Sequence, residues 1–378
     1  MIGPIHLQQV PRIVFGSGCF AQCSEWLQQR SAHRVFIITS PSNRAHAETL
    51  ARSISAAAIE STVRAEPTVA LFQQVLRAAQ AFQPNAIVGL GGGSPLDLAK
   101  LIAALTHSTQ VLDDVFGIGL LASRSLPLLC IPTTSGTGSE VSPNAILLDH
   151  DAKQKKAVIS PHLVPDAAFI DPALTLSVPP LVTAATGVDA LSHCIEAYAN
   201  RNAHPLINLY ALEGIRRISG ALVQAVSDPS NLSAREDLAM GSLCGGLCLG
   251  PVNTAAVHAL SYPLGAWFGV PHGQANALLL PHVLAFNLPA NPSLYRDIAV
   301  ALGTPETGSA TDDAHAGLVR LRKLLQDARL TLRMRDVLPS RQPLAAMAES
   351  ALGITRLMKN NLRQMTRSEA IAIYEQAW

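Results

Sequence analysis

VGLGGGSPLDLAK, residues 88–100, changes character in its middle. Its first residues complete the apolar run Asn85-Ala86-Ile87-Val88-Gly89-Leu90, which lacks polar alternation and so reads as a strand covered on both faces. Gly91, Gly92, Gly93 and Ser94 follow, and Leu96 to Leu105 then reads as a helix. A strand that ends in glycines and runs into a helix start presents free N–H groups and the positive end of the helix dipole at one point. Residues without a Cβ let a phosphate come close to them. The spacing is not G-x-G-x-x-G, so a tight structural turn remains the alternative reading. Gly16-Ser17-Gly18 is a shorter and weaker instance of the same pattern.

The same alternation extends on either side. Arg34 to Thr39 and Leu126 to Ile131 read as further strands, with helices over Ala45 to Ile54 and Leu71 to Phe82. Strands alternating with helices predict a parallel sheet with helices on both faces. Beyond Pro179 the strand pattern gives way to Ala/Leu-rich helical stretches: 183–199, 205–226, 234–249, 254–268 and 274–287. Thr366-Arg367-Ser368-Glu369 reads as a capping box opening a last helix. The expected fold is therefore an α/β domain over residues 1–178 and an all-α domain over 179–378, divided in the proline-rich stretch 171–180. The alternation from Ile5 to Phe15 predicts a hairpin that pairs across a dimer.

A second hydroxyl-rich loop follows the strand ending at Ile131. Pro132-Thr133-Thr134-Ser135-Gly136-Thr137-Gly138-Ser139-Glu140 gathers side chains that hydrogen-bond ribose and phosphate oxygens. It lies at a strand's C-terminal end, the edge where open α/β sheets bind ligands.

Composition excludes several classes. The formal net charge is +1 over 378 residues, which gives no electrostatic case for nucleic acid or an anionic membrane. No run of about 20 apolar residues suits a membrane span, and the N-terminus lacks the layout of a secretory signal. The basic stretch around Arg320 to Arg335 reads as a solvated helix face. The six cysteines match no zinc knuckle and are expected as free thiols in a reducing cytoplasm. Cys194, although adjacent to His193, is read as a packed core thiol.

The chemistry concentrates in four residues. Asp189 and His193, in GVDALSHCIEAY, are four apart and share one helix face. His258 lies in AAVHALSYPLG and His272 in GVPHGQANALLLP. One carboxylate and three imidazoles suit ferrous iron or zinc. A phosphate-binding turn and a divalent-metal set in one chain point to metal-assisted hydride transfer.

With GGGSPLDLAK (91–100), PTTSGTGSEV (132–141), GVDALSHCIEAY (187–198), HALSYPLGAWFGVPHG (258–273) and the terminal Ala-Trp, the chain resembles the iron-containing, or group III, alcohol dehydrogenases over nearly its whole length. The resemblance implies a dinucleotide-binding domain and a helical domain, together of dehydroquinate synthase-like architecture, and a divalent metal between them on Asp189, His193, His258 and His272. It implies NAD or NADP on Gly91, Gly92, Gly93 and Ser94, lined by Thr133, Thr134 and Thr137, with Lys155 or Lys156 toward the ribose. The implied substrate is a small alcohol or aldehyde, and the expected assembly is a homodimer or larger.

Two positions depart from the family pattern. Ser40 stands where NAD-preferring members carry an Asp, which predicts that NADP is tolerated. Tyr262 stands where many relatives carry His, and reads either as a proton-relay group or as a pocket wall. Trp267 and Phe268 are candidate walls. Alternative readings are a maleylacetate reductase-like enzyme, a dehydroquinate synthase-like lyase and a relative that has lost catalysis.

Overall fold

The structure, a computed structural model, describes residues 2–64 and 66–378. They divide into two compact units. One comprises Gln8–Thr134 with Gly138–Ser177; the other comprises Val178–Trp378 with Ser135–Thr137 and the segment ending at Leu7.

The first unit is built on nine strands: β1 (Arg12–Phe15), β2 (Arg34–Thr39), β3 (Ala56–Glu60), β4 (Ala86–Gly91), β5 (Gly117–Ile118), β6 (Leu128–Pro132), β7 (Asn144–Asp149), β8 (Gln154–Ile159) and β9 (Ala167–Ile170). Its helices are α1 (Cys23–Gln29), α2 (Arg44–Ala51), α3 (Val69–Phe82), α4 (Gly93–Leu105) and the short α5 (Leu112–Val115). Six strands form one parallel sheet in the order β1-β9-β6-β4-β2-β3. Successive side chains along a strand point to opposite faces, and both faces are covered. Phe36 and Ile38 of β2 pack with Phe72, Val75 and Leu101 of α3 and α4; Val35 and Ile37 pack with Trp26, Leu27 and Leu50 of α1 and α2. This double burial is the physical reason that Arg34–Thr39 reads as an unbroken apolar run.

The smaller sheet, β5-β8-β7, is a hairpin with an added parallel strand. It was not legible in the sequence, because Gln154-Lys155-Lys156 makes half of β8 polar. The expected hairpin over Ile5 to Phe15 does not form. Residues 2–10 have no regular structure, and only Arg12–Phe15 is a strand, joined parallel to β9. Pro4 and Pro11 lack the N–H groups that a ladder needs.

The second unit is helical: α6 (Pro180–Tyr198), α7 (Pro205–Ser227), α8 (Leu232–Leu249), α9 (Ala256–Phe268), α10 (His272–Asn287), α11 (Pro292–Ala301), α12 (Ala310–Asp327), α13 (Leu344–Leu352), α14 (Thr355–Met358) and α15 (Arg367–Gln376). At its centre, α6 is buried on every face from Gly187 to Tyr198, with α7, α8 and α10 packed around it. A helix buried all round must partner every polar side chain it carries. Asp189, His193 and Glu196 are such side chains.

The capping box of α15 forms as the sequence predicts: Thr366 accepts from the Glu369 N–H, and Glu369 accepts from the Thr366 N–H at 2.8 Å. Tyr374 of the same helix donates to the Leu260 carbonyl of α9 at 2.6 Å, which ties the C-terminal helix to the helix that carries His258. All six cysteines are buried free thiols. Among the described residues no helix is long and apolar enough to cross a membrane.

Thr366→Ala removes one side of the capping box. A loss of about 1 kcal/mol is expected, read as a lower denaturant midpoint at unchanged slope.

Candidate active site

The phosphate-type turn emerges at one edge of the large sheet. Thr39, Leu90 and Ile131 lie in register on the neighbouring strands β2, β4 and β6. Ser40, the turn Gly91 to Ser94 and the loop from Thr133 therefore leave the sheet side by side at its carboxyl end. β3 lies on one side of β2, and β4, β6 and β9 on the other. The order in which strands are added thus reverses between β2 and β4, while the strands stay parallel, and it is there that doubly wound sheets bind their ligands.

Gly91 has φ +151°, a conformation that L side chains rarely adopt, and a Cβ there would meet Pro95. Gly92 caps α4 without a side-chain hydrogen bond, so the first-turn N–H groups of Gly93 and Ser94 are left for an outside acceptor. Thr133 donates its N–H to the Gly91 carbonyl at 2.9 Å, fixing the hydroxyl-rich loop beside the turn. Asp97 of α4 anchors the same arrangement: it accepts from the Ser139 hydroxyl at 2.5 Å and the Ile146 N–H at 3.0 Å. Burial raises its carboxyl above the usual range. Uncapped N–H groups at a helix start beside a glycine with positive φ suit the pyrophosphate of a dinucleotide.

The other predicted nucleotide residues are placed as follows. Ser40 Oγ bonds Ser42 Oγ and accepts from Asn43 Nδ2, both at 2.9 Å. Thr134 lies against Gly92, and Thr137 clusters with the helical unit. Lys155 is paired with Glu66, and Lys156 with Asp149 at 2.8 Å over the Phe116 ring. Both lysines thus have protein carboxylate partners.

The second constellation lies on α6, α9 and α10. α9 ends at Gly269, whose φ of +66° lets its N–H and that of Val270 close back on Gly265 and Leu264. Pro271 then leads directly into α10, whose first residue is His272. Gly273 lies against the backbone of Ala185, where a Cβ would collide with the carbonyl. That close approach seats α10 on α6.

The result is a single focus. Asp189 Oδ1 lies 3.6 Å from His193 Nε2, 3.4 Å from His258 Nε2 and 3.5 Å from His272 Nε2. Three imidazole nitrogens at those distances are too far away for good hydrogen bonds to the oxygen. Ligands about 2.1 Å from a common ion at tetrahedral angles stand about 3.4 Å apart, so the donor set fits a cation at their centre. The donor atoms of Asp189, His258 and His272 all lie within 4.8 Å of one another. His193 stands outside that trio, stacked on His258 with ring centroids 4.7 Å apart.

Two residues that were not singled out in the sequence complete this shell. Glu196 accepts from His258 Nδ1 and from the Val257 N–H at 2.7 Å, so one carboxylate both caps α9 and orients the imidazole. Asn276 donates to Asp189 Oδ1 at 2.8 Å. The signal for Glu196 was present: Asp189, His193 and Glu196 follow the i, i+4, i+7 spacing of one helix face. Asn276 likewise lies four residues after His272.

Burial opposes charge on His258, but the Glu196 and Asp189 carboxylates outweigh it and raise its pKa to about 10. Burial would also raise Asp189, yet His193 and the other two imidazoles pull its carboxyl well below the usual range. Burial lowers His193 to about 4. The two carboxylates therefore favour positive charge on the His258 ring, whereas burial opposes it on His193. The side chains of Asp189 and His258 are 4 % exposed against 25 % for His272, so the focus opens on the His272 side. There Tyr262 is buried, with its ring 5.9 Å from that of His272 and its hydroxyl accepting from Arg356 Nη2 at 3.0 Å. Trp267 and Phe268 pack half-buried on the helical core.

Comparison with known proteins agrees with this geometry. Residues 11–172 match the iron-containing alcohol dehydrogenase family, and residues 183–378 match the C-terminal part of the Fe-containing alcohol dehydrogenase family. The lactaldehyde reductase of Escherichia coli K12 is 34 % identical over 324 residues, 85 % of this chain and 84 % of that protein. A solved 1,3-propanediol oxidoreductase superposes with a TM-score of 0.96 at 32 % identity, covering 100 % of both chains. The sulfoacetaldehyde reductase of Bifidobacterium kashiwanohense, solved with NAD+, gives 0.88 at 25 % identity over 99 % of each chain. The chain belongs to the iron-containing alcohol dehydrogenase family. It is an oxidoreductase acting on CH–OH groups and the corresponding aldehydes.

Gly273→Ala pushes α10 away from Ala185 and moves His272 off the focus. The expected outcome is a lower content of bound divalent ion after dialysis, measured by elemental analysis, in protein that retains its helical circular dichroism.

Proposed function

We propose that the protein reduces small aldehydes, and oxidises the matching alcohols, by hydride exchange with NAD or NADP, using a divalent ion held by Asp189, His193, His258 and His272. The observation that carries this is the convergence of three imidazole Nε2 atoms 3.4–3.6 Å from one buried carboxylate oxygen. Bound there, ferrous iron or zinc supplies Lewis-acid polarisation of the substrate oxygen. The nicotinamide supplies the hydride, and the protein orients it.

The chain's own residues have distinct tasks in this reading. Gly91, Gly92, Gly93 and Ser94 receive the pyrophosphate on the N–H groups of α4, and Thr133, Thr134 and Thr137 line the nucleotide. Glu196 fixes the His258 ring so that Nε2 faces the focus, and Asn276 holds the Asp189 carboxylate in place. Tyr262 walls the open side next to His272, with its hydroxyl engaged by Arg356 rather than poised as a base. Lys156 is assigned to the ribose only if it exchanges Asp149 for the cofactor. The same reading takes residues 1–178 as the nucleotide domain, 179–378 as the metal domain, and the protein as a cytoplasmic homo-oligomer, dimer or larger.

Anaerobic loading with ferrous iron or zinc, followed by NADH and NADPH oxidation with short aldehydes, tests the reading directly. Metal-dependent turnover is expected, and its absence with every metal and nucleotide overturns the proposal. Removing a ligand with His272→Ala is expected to abolish both bound metal and turnover. Glu196→Gln keeps the shape but loses the charge facing His258. Metal affinity should fall by about 10- to 100-fold, read by competition with a chromophoric chelator.

Ser40 leaves room and no opposing charge for a 2′-phosphate. NADPH should therefore support turnover, and introducing the acid with Ser40→Asp should raise the KM for NADPH more than that for NADH. Equal effects on both cofactors would remove Ser40 from the ribose site.

A further inference from the structure

Arg356 differs from the two arginines that follow it in the chain. Arg363 and Arg367 are neutralised by Glu369 at 3.5 Å and Glu349 at 2.6 Å. Arg356, on α14, is half-buried and makes no ion pair among the described residues. Its one hydrogen bond there is to the Tyr262 hydroxyl, at 3.0 Å. A guanidinium has five N–H donors in a fixed fork that matches a carboxylate or sulfonate, so a single phenol leaves most of that capacity unused. Its position matters as much as its charge. The guanidinium carbon lies 5.7 Å from the Tyr262 ring centre, and that ring lies 5.9 Å from His272. A fixed positive charge thus stands one aromatic ring away from the focus, on the side where His272 is exposed.

We propose that Arg356 receives an anionic group on the substrate, and that the preferred substrates are short aldehydes carrying a carboxylate or sulfonate at the far end. The aldehyde end lies at the Asp189–His258–His272 focus, and the anion pairs with the guanidinium beyond Tyr262. The phenol holds the guanidinium in place, and its ring fills the space that a longer neutral chain would need. This deepens the function proposed above and rests on it. Discrimination follows from chemistry: a neutral aldehyde of the same length leaves the guanidinium without its anion, whereas an ω-oxo acid forms charge-assisted hydrogen bonds to it.

The test compares kcat/KM for succinic semialdehyde and for butanal, in wild type, Arg356→Gln and Arg356→Lys, each loaded with metal and assayed with NADH and NADPH. A calorimetric titration of the full chain with succinate provides a readout independent of turnover. Wild type should favour succinic semialdehyde at least tenfold. Arg356→Gln should cut that preference by about 10- to 100-fold, chiefly through KM, and weaken succinate binding in parallel. Arg356→Lys, which keeps the charge without the fork, should fall between the two.

A wild-type preference for butanal, or a preference that Arg356→Gln leaves unmoved, overturns the assignment while leaving the oxidoreductase reading intact. So does an Arg356→Gln effect confined to the KM of the nucleotide. If neither aldehyde is turned over, the function reading itself has failed. Succinate binding then decides the anion site: binding lost in Arg356→Gln upholds it, and binding that ignores the substitution removes it.

Discussion

Burying a carboxylate is the constraint around which the helical unit is arranged. Asp189 sits on the stretch of α6 from Gly187 to Tyr198, which has no solvent-facing side and where an unpaired charge would cost several kcal/mol. The fold meets that cost by surrounding one oxygen with an amide donor at 2.8 Å and three imidazoles at 3.4–3.6 Å. These partners arrive on α6, α9 and α10, so the position of each helix is fixed by the same charge. Gly273, which lets α10 touch the backbone of α6, and the glycine-capped turn at Gly269 are the local features that bring the donors to the focus. Glu196 adds a second buried carboxylate that ties the start of α9 to α6 through Val257 and His258.

A different constraint governs the α/β unit. Its strands are apolar on both sides because helices cover both faces, and its polar groups are concentrated where the strands end. Asp97 shows the connection. Its buried carboxylate joins α4 to the loop after β6 and to β7, so the uncapped helix start and the hydroxyl-rich loop are held in one arrangement. The anion-binding character of the turn then follows from backbone geometry, with no acidic residue in the first turn of α4 to oppose it.

Position also changes how individual side chains read. Lys155 and Lys156 look in sequence like cationic arms for a nucleotide, yet each meets a carboxylate of its own unit. Arg356 attracts no notice among the arginines of the C-terminal segment, yet it has no acid partner among the described residues and bonds Tyr262 beside the focus. Charge by itself separates neither case, because the partners lie far away along the chain: Glu66 for Lys155, and Tyr262 for Arg356.

The class of fold and most of the focus were legible in the chain, because both rest on short-range patterns. Apolar runs ended by glycine or proline gave Arg34–Thr39 and the strand before Gly91. Helical spacing put Asp189 and His193 on one face, and Thr366 with Glu369 capped the last helix. The remaining features depend on partners distant along the chain and emerge only from packing. These are the hairpin Asn144–Ile159, whose second strand is half polar, the failed hairpin at the N-terminus, the supporting roles of Glu196 and Asn276, and the pairing of Tyr262 with Arg356. Hydrophobic periodicity reports which side of an element is buried; it carries no information about which distant charge will meet a buried donor, because that is set by how the helices pack.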